Sequence, residues 1–255
     1  MPHTIQRYGW IPDLPDQRDH LFSTPPAVHA ALPRKVDLTS ACPPVYDQGQ
    51  LGSCTGNGIA AALEFDQLKQ GLPDPYTPSR LFIYYNERVI EGTVSTDSGA
   101  MIRDGIKSVG HTGACREEGL WPYDISQFAV EPSAEAYADA KNHTAVSYQR
   151  VTRSLSQLKG CLAAGYPFVF GFSVYESFET SEVASSGHAP LPAASEQLLG
   201  GHAVLAVGYD DAHHRWICRN SWGTGWGKAG YFTLPYAYLT DHNLSSDFWT
   251  IRVVA

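Results

Sequence analysis

The segment VYDQGQLGSCTGNGIAAALEF, residues 45–65, sets Cys54 between Gly52 and Gly56, six residues after Gln48, and then becomes apolar. From Cys54 to about Gln70 the pattern is helical: Ile59, Ala62, Leu63, Phe65 and Leu68 recur three or four apart, and Gly71 follows as a stop. Cys54 therefore falls at a helix start. There, unpaired backbone N–H groups and the positive end of the helix dipole stabilise a thiolate. The flanking glycines leave room for another backbone to approach. Position alone does not make a nucleophile, because a cysteine is more often an inert buried residue. The stretch has to be read with its partners.

Composition narrows the classes. The chain has 255 residues, 43% hydrophobic and 12% aromatic, enough for one large domain or two lobes with real cores. Only 17% are charged, which excludes a disordered chain. The formal net charge is −8 and no Lys/Arg run occurs, so nucleic acid and anionic membrane are not expected as partners. No apolar run is long enough to span a bilayer. The opening MPHTIQRYGWIPDLPDQRDH shows no apolar signal region, and the compartment stays open. The five cysteines are odd in number and form no CxxC pair, against a zinc ribbon or a dense disulfide framework. Cys161 and Cys218 read as small buried hydrophobes.

Residues 1–31, rich in Pro and Asp, read as an extended arm, and the domain proper spans 32–255. Further helices are expected over Pro78–Ile90, with Pro78 in the first turn, over Gly99–Val109, and in PSAEAYADAKNH. Strands are expected at YPFVFGFSVY, GHAVLAVGYD, RWICRN, GYFTLP and DFWTIRVV. Glu176–Gln197 reads as a long surface loop. Helices followed by strands imply an α+β chain with a helical lobe at about 45–130 and an antiparallel β lobe at about 145–255.

A nucleophilic cysteine needs a base, a group that orients the base, and donors for the oxyanion. His202 directly precedes a strand, so its position is fixed by the fold. Asn220 follows the next strand, and a hairpin of the two strands sets it beside His202. An amide acceptor there holds one imidazole nitrogen and leaves the other for the thiol. Trp222 is placed to shield that bond from water. Gln48 and the backbone N–H of Cys54 are the candidate oxyanion donors. His111, His143, His188, His213 and His214 lie in turns, at a helix end or in the expected loop, and make poorer bases.

Taken together, these motifs resemble those of the papain-like cysteine peptidases. DQGQLGSC matches the glutamine and nucleophile segment, GHAVLAVGYD the histidine strand, and CRNSWGTGWGKAGYF the Asn-Ser-Trp-Gly block, in the family's order. The resemblance runs from about Pro33 to the C-terminus. It implies a two-lobed fold, mainly helical on the left and β-barrel-like on the right, with the active site between the lobes. It assigns Cys54 as nucleophile, His202 as general acid/base, Asn220 as orienter and Gln48 as oxyanion donor, with Cys54 and His202 resting as an ion pair. That chemistry hydrolyses peptide bonds through an acyl-enzyme and requires no metal or cofactor. Peptide or protein substrates and a monomer are expected.

The same resemblance marks departures. Leu51 stands where the family has a disulfide cysteine, and Thr55 where an aromatic follows the nucleophile. The substrate-binding strip is matched by Ser98 and Gly99, and the main side-chain pocket by Gly171 and Ala203, with Trp222 beside the site. The base of that pocket falls in Ser245–Asp247. The short arm in place of a long propeptide resembles small bacterial members; an arm lying in or beside the cleft and restraining activity is one expectation, and a surface strap or a floppy tail are the alternatives. An endopeptidase is the leading reading; an exopeptidase and an idle peptide-binding relative are the alternatives.

Overall fold

The computed structural model describes residues 8–254, so positions 1–7 of the expected arm lie outside the described residues. The arm is not extended throughout. It contains two short strands, β1 (Trp10–Ile11) and β2 (Leu21–Phe22), and one short helix, α1 (Pro26–Ala30). Strand β3 (Lys35–Asp37) follows.

Helix α2 (Cys54–Gln70) begins at the cysteine and ends on Gly71, whose left-handed φ of 65° lets its N–H reach the Gln67 and Leu68 carbonyls. Residues 54–67 of this helix are all buried. A helix buried all round is a central one, here even with Asn57, Glu64, Asp66 and Gln67 among its buried residues. α2 packs against α3 (Arg80–Glu91) and α4 (Ile102–His111) on one side and the main sheet on the other. Two expectations shift here. Pro78 lies outside α3, because the Ser79 hydroxyl caps the helix by accepting from the Phe82 N–H. Gly99 lies outside α4, because residues Ala100–Met101 form β4, which pairs in parallel with β1 of the arm. Helix α5 (Ala134–Ala140) starts on a Ser133 cap.

The second half builds an eight-stranded sheet from β5 (Ala145–Val151), β6 (Phe168–Tyr175), β7 (Leu198–Asp210), β8 (Arg215–Arg219), β9 (Tyr231–Pro235) and β10 (Ser245–Val254), with β2 and β3. Its order is β2-β5-β10-β6-β7-β8-β9, with β3 on β7; all pairs are antiparallel except β2–β5. The long apolar runs of β6 and β7 follow from burial on both faces. Phe168, Phe170 and Phe172 point into one cluster, while Val169, Ala203, Leu205 and Val207 point to the cluster under α2. Burial of each phenylalanine contributes about 2 kcal/mol.

Helix α6 (Leu155–Ala163) was not anticipated; Ser154 caps it. Glu176–Gln197 is not simply a surface loop. It carries a 3-10 turn (Glu176–Glu179) and helix α7 (Ser181–Ser186), and it buries Phe178, Val183, Ala184 and Ala189. Spaced apolar residues among Ser, Glu and Ala hid this anchoring from the composition. A last short helix, α8 (Tyr236–Thr240), leads into β10. Among the described residues no helix is long and apolar enough to cross a membrane.

Candidate active site

Cys54 is the first residue of α2 and is fully buried. Three backbone amides, those of Ala203, Gly9 and Thr55, favour the charged form of its sulfur. Burial outweighs them and pushes the thiol up to about 12. With the arm seated over the sulfur, the neutral thiol is favoured. Burial also raises Cys115, Cys161 and Cys218. What separates Cys54 from these is its place at the helix head, and all five cysteines are free.

His202 lies on β7, adjacent in sequence to the Ala203 amide that meets Cys54. Its Nε2 is 2.8 Å from Asn220 Oδ1, and its ring stacks on Trp222 at 4.8 Å between centroids and 23° between planes. The edges of Phe172 and Tyr8 also meet that ring. The antiparallel β7–β8 pairing brings Asn220 to the His202 end of the hairpin, as the sequence order implied. Asn220 Oδ1 also accepts from the Ser221 N–H, which fixes the amide's orientation.

Gln48 is buried beside this group. Its Nε2 donates to the Leu51 carbonyl at 2.9 Å, and its Oε1 accepts from the Ser221 hydroxyl at 2.6 Å. An amide NH2 has two hydrogens, so this bracing is compatible with a second donation toward the cleft. Ser221 went unremarked in the sequence because only the fold reveals that it clamps both Asn220 and Gln48. The loop leading to Cys54 is braced by Asp97, which accepts from the Gly52 N–H and from the Tyr84 hydroxyl. Leu51, in place of a disulfide partner, packs with Leu81, Tyr84 and Ala100.

The arm occupies the space in front of this constellation. A Cβ added to Gly9 would lie 1.7 Å from the Gly52 carbonyl oxygen, and one added to Gly99 would lie 2.3 Å from the Gly9 carbonyl oxygen. Only glycines allow so close an approach. The Ala100 N–H donates to the Gly9 carbonyl at 2.8 Å. Ser98 stands beside this strip, its hydroxyl bonded to Thr93 and to the Gly99 carbonyl. The Trp10 indole fills a pocket floored by Gly171, where a Cβ would be 1.9 Å from the ring, and by Gly201, at 2.6 Å. Ala203 pairs with Gly171 across the β6–β7 ladder at the edge of this pocket. Asp247 closes its base: Oδ2 accepts from Trp10 Nε1 at 3.2 Å and from the Asp13 N–H at 2.8 Å, while Oδ1 accepts from Arg150. The backbone of Asp247 is left-handed, with φ of 61°. Tyr8 bonds Glu179 at the other side of the cleft.

A thiol at the head of a central helix, with an imidazole–amide pair on the facing sheet, is the arrangement of a cysteine-dependent hydrolase. The comparisons agree with it. The family model for papain family cysteine protease matches residues 32–246, and the chain belongs to that family. It is a papain-like cysteine peptidase, a hydrolase of α+β, two-lobed fold. Its structure is similar to that of xylellain, a cysteine protease from Xylella fastidiosa, with 48% identity, a TM-score of 0.90, and coverage of 97% of this chain and 96% of that one. A peptidase C1-like protein of Acanthamoeba polyphaga mimivirus is 42% identical over 98% of this chain and 88% of its own length. Cysteine proteinase 1 of Entamoeba histolytica is 30% identical over 75% of this chain and 59% of its own length.

Proposed function

We propose that the chain is an endopeptidase whose cleft is closed by its own N-terminal arm. Cys54 attacks a peptide carbonyl, and His202, held by Asn220, protonates the leaving amine. Gln48 Nε2 and the Cys54 N–H donate to the oxyanion, and water then releases the acyl group. The observation that carries the reading is the seating of Gly9 against Gly52, with its amide at the Cys54 sulfur. No substrate backbone fits beside it. Trp10 reports on specificity: the pocket of Gly171, Gly201 and Asp247 suits a bulky side chain ending in a donor, tryptophan or a basic residue.

The test compares the full chain with its Gly9→Ala variant on internally quenched peptides blocked at both ends and varied at the second residue before the cut. The added methyl meets backbone, so the variant is expected to turn over about ten-fold faster or more, with Trp, Arg or Lys preferred. Cys54→Ala abolishes turnover. Equal rates for the two chains overturn the restraint, and no cleavage of the blocked peptides alongside cleavage of the same peptides with a free terminus replaces endopeptidase by exopeptidase. Rejection of Trp, Arg and Lys removes Asp247 as the pocket's base.

A further inference from the structure

Thr55 stands next to the nucleophile, where a small polar residue has to replace the packing of an aromatic ring. It is fully buried, and its hydroxyl donates at 2.6 Å to Oε2 of Glu87 on α3. Glu87 is itself fully buried. Its other oxygen lies against α4, where a Cβ on Gly105 would sit 2.1 Å from Oε1, and that oxygen has no hydrogen-bond partner among the described residues. A carboxyl placed this deep costs stability unless it is hydrogen-bonded, and only one of its two oxygens is.

We propose that Glu87 is a positioning residue for the nucleophile, fixing through Thr55 the first turn of α2 and hence the direction of the Cys54 sulfur. The inference rests on Cys54 being the nucleophile. The Ser53 side chain makes no capping bond to the α2 backbone; Asn57 Nδ2 instead donates to the Ser53 carbonyl and hydroxyl, which ties the turn along the helix axis but not sideways. The Thr55–Glu87 bond supplies a lateral anchor one residue beyond the sulfur.

The charges around Glu87 determine its form. On its own helix Arg88 is turned away, donating to the carbonyls of Tyr84, Val94, Thr96 and Phe128 and stacking on the Tyr84 and Phe128 rings. The carboxyls of Glu91, on α3, and Asp104, on α4, add repulsion. Burial is the largest influence and raises Glu87 well above the usual carboxylate range, against the Thr55 hydrogen bond and the Arg88 charge, which both favour the charged form. A neutral Glu87 matters for the reaction, since a charged one would oppose the Cys54 thiolate. The site thus keeps a hydrogen-bond acceptor behind the nucleophile without a negative charge.

The experiment uses the full chain carrying Gly9→Ala to open the cleft, with Glu87→Gln, Glu87→Leu and Thr55→Val added singly. It reads kcat, KM, the pH profile of Cys54 alkylation by iodoacetamide, and Tm. Glu87→Leu and Thr55→Val are expected to lower kcat about ten-fold or more with KM little changed, because a misaimed nucleophile affects the chemical step. Glu87→Gln, the conservative variant, is expected to restore kcat and leave the alkylation profile in place. Unchanged kcat in Thr55→Val overturns the proposal even if Glu87→Leu fails to fold. An alkylation profile that moves to lower pH in Glu87→Gln also overturns it, since the native group would then be charged. Cys54→Ala that still turns over peptide refutes the nucleophile assignment instead.

Discussion

The arm holds on by two different means along its length. From Tyr8 to Asp19 it is seated through close glycine contacts and polar bonds: Trp10 to Asp247, Asp13 to the Arg103 N–H and to Trp249 Nε1, and Asp19 to Arg103 and Arg150. From Leu21 to Ala30 it is part of the fold. β2 adds an edge strand to β5, Phe22 is 4% exposed in the main core, and Thr24 donates to Gln157 while filling the space left by Gly160. On the proposed reading occlusion and strap are then not alternatives, because the first segment lies against Gly52 and Cys54 and the second is built into the sheet and core. A plug held by polar contacts releases without unfolding, whereas an edge strand with a core residue does not. Cutting the chain near Pro33 removes both, so it is a poor test of restraint.

Asp19 lies where the two segments meet, and its substitution should have the largest effect. It is buried with Arg103, and removing one partner of such a pair costs about 3–5 kcal/mol. Asp19→Ala should therefore lower stability in denaturant melts and also raise turnover. A variant that changes neither stability nor turnover would break the picture of Asp19 as an anchor where the two segments meet. Phe22→Ala should cost about 3 kcal/mol in the same melts with no gain in turnover. A gain in turnover at unchanged stability would mean that the strap, too, belongs to the plug.

A further expected effect is on pH. Burial, then the charge of Asp247, raises Asp13 from 3.8 to about 6 when the arm is seated. The Arg103 guanidinium and N–H and the Trp249 indole oppose the rise, and Glu91 also lies near. A group whose pKa rises on docking binds its proton more tightly in the docked state. Its contribution is fully present below 3.8 and is lost as pH climbs through about 6. The full chain, measured relative to its Gly9→Ala variant, should gain activity as pH rises across that window, by roughly ten-fold per unit of pKa shift at most. Asp13→Asn should flatten the step. A ratio that rises toward acid would reverse the assigned sign.

Much of the site was legible because its signals are local. A helix start after a glycine-flanked cysteine, a histidine opening an apolar strand, and an Asn-Ser-Trp block each depend on a few neighbouring residues. The strand alternation that sends Phe168 and Val169 to opposite layers is equally local, which is why β6 and β7 were expected where they lie. The segments misjudged were those whose partners are remote. α7 looks polar in sequence, yet Val183 and Ala184 are buried in the core beside Phe178. β4 exists because the arm pairs with it, and that shortens α4 by three residues against the expected start at Gly99.

The sequence by itself determined the helix that starts at Cys54, the order of the catalytic candidates and the family. Each of those is written in short-range spacing that chain geometry cannot rearrange. The tertiary structure alone decided where Asp247 sits, that Trp10 enters its pocket, that Ser221 clamps Gln48 to the Asn220 turn, and that Glu87 stands behind Thr55. These are pairings across separations of 32 to 237 residues. Their contact is set by how layers pack and how close glycines let backbones come, and neither quantity is encoded in any one stretch of the chain.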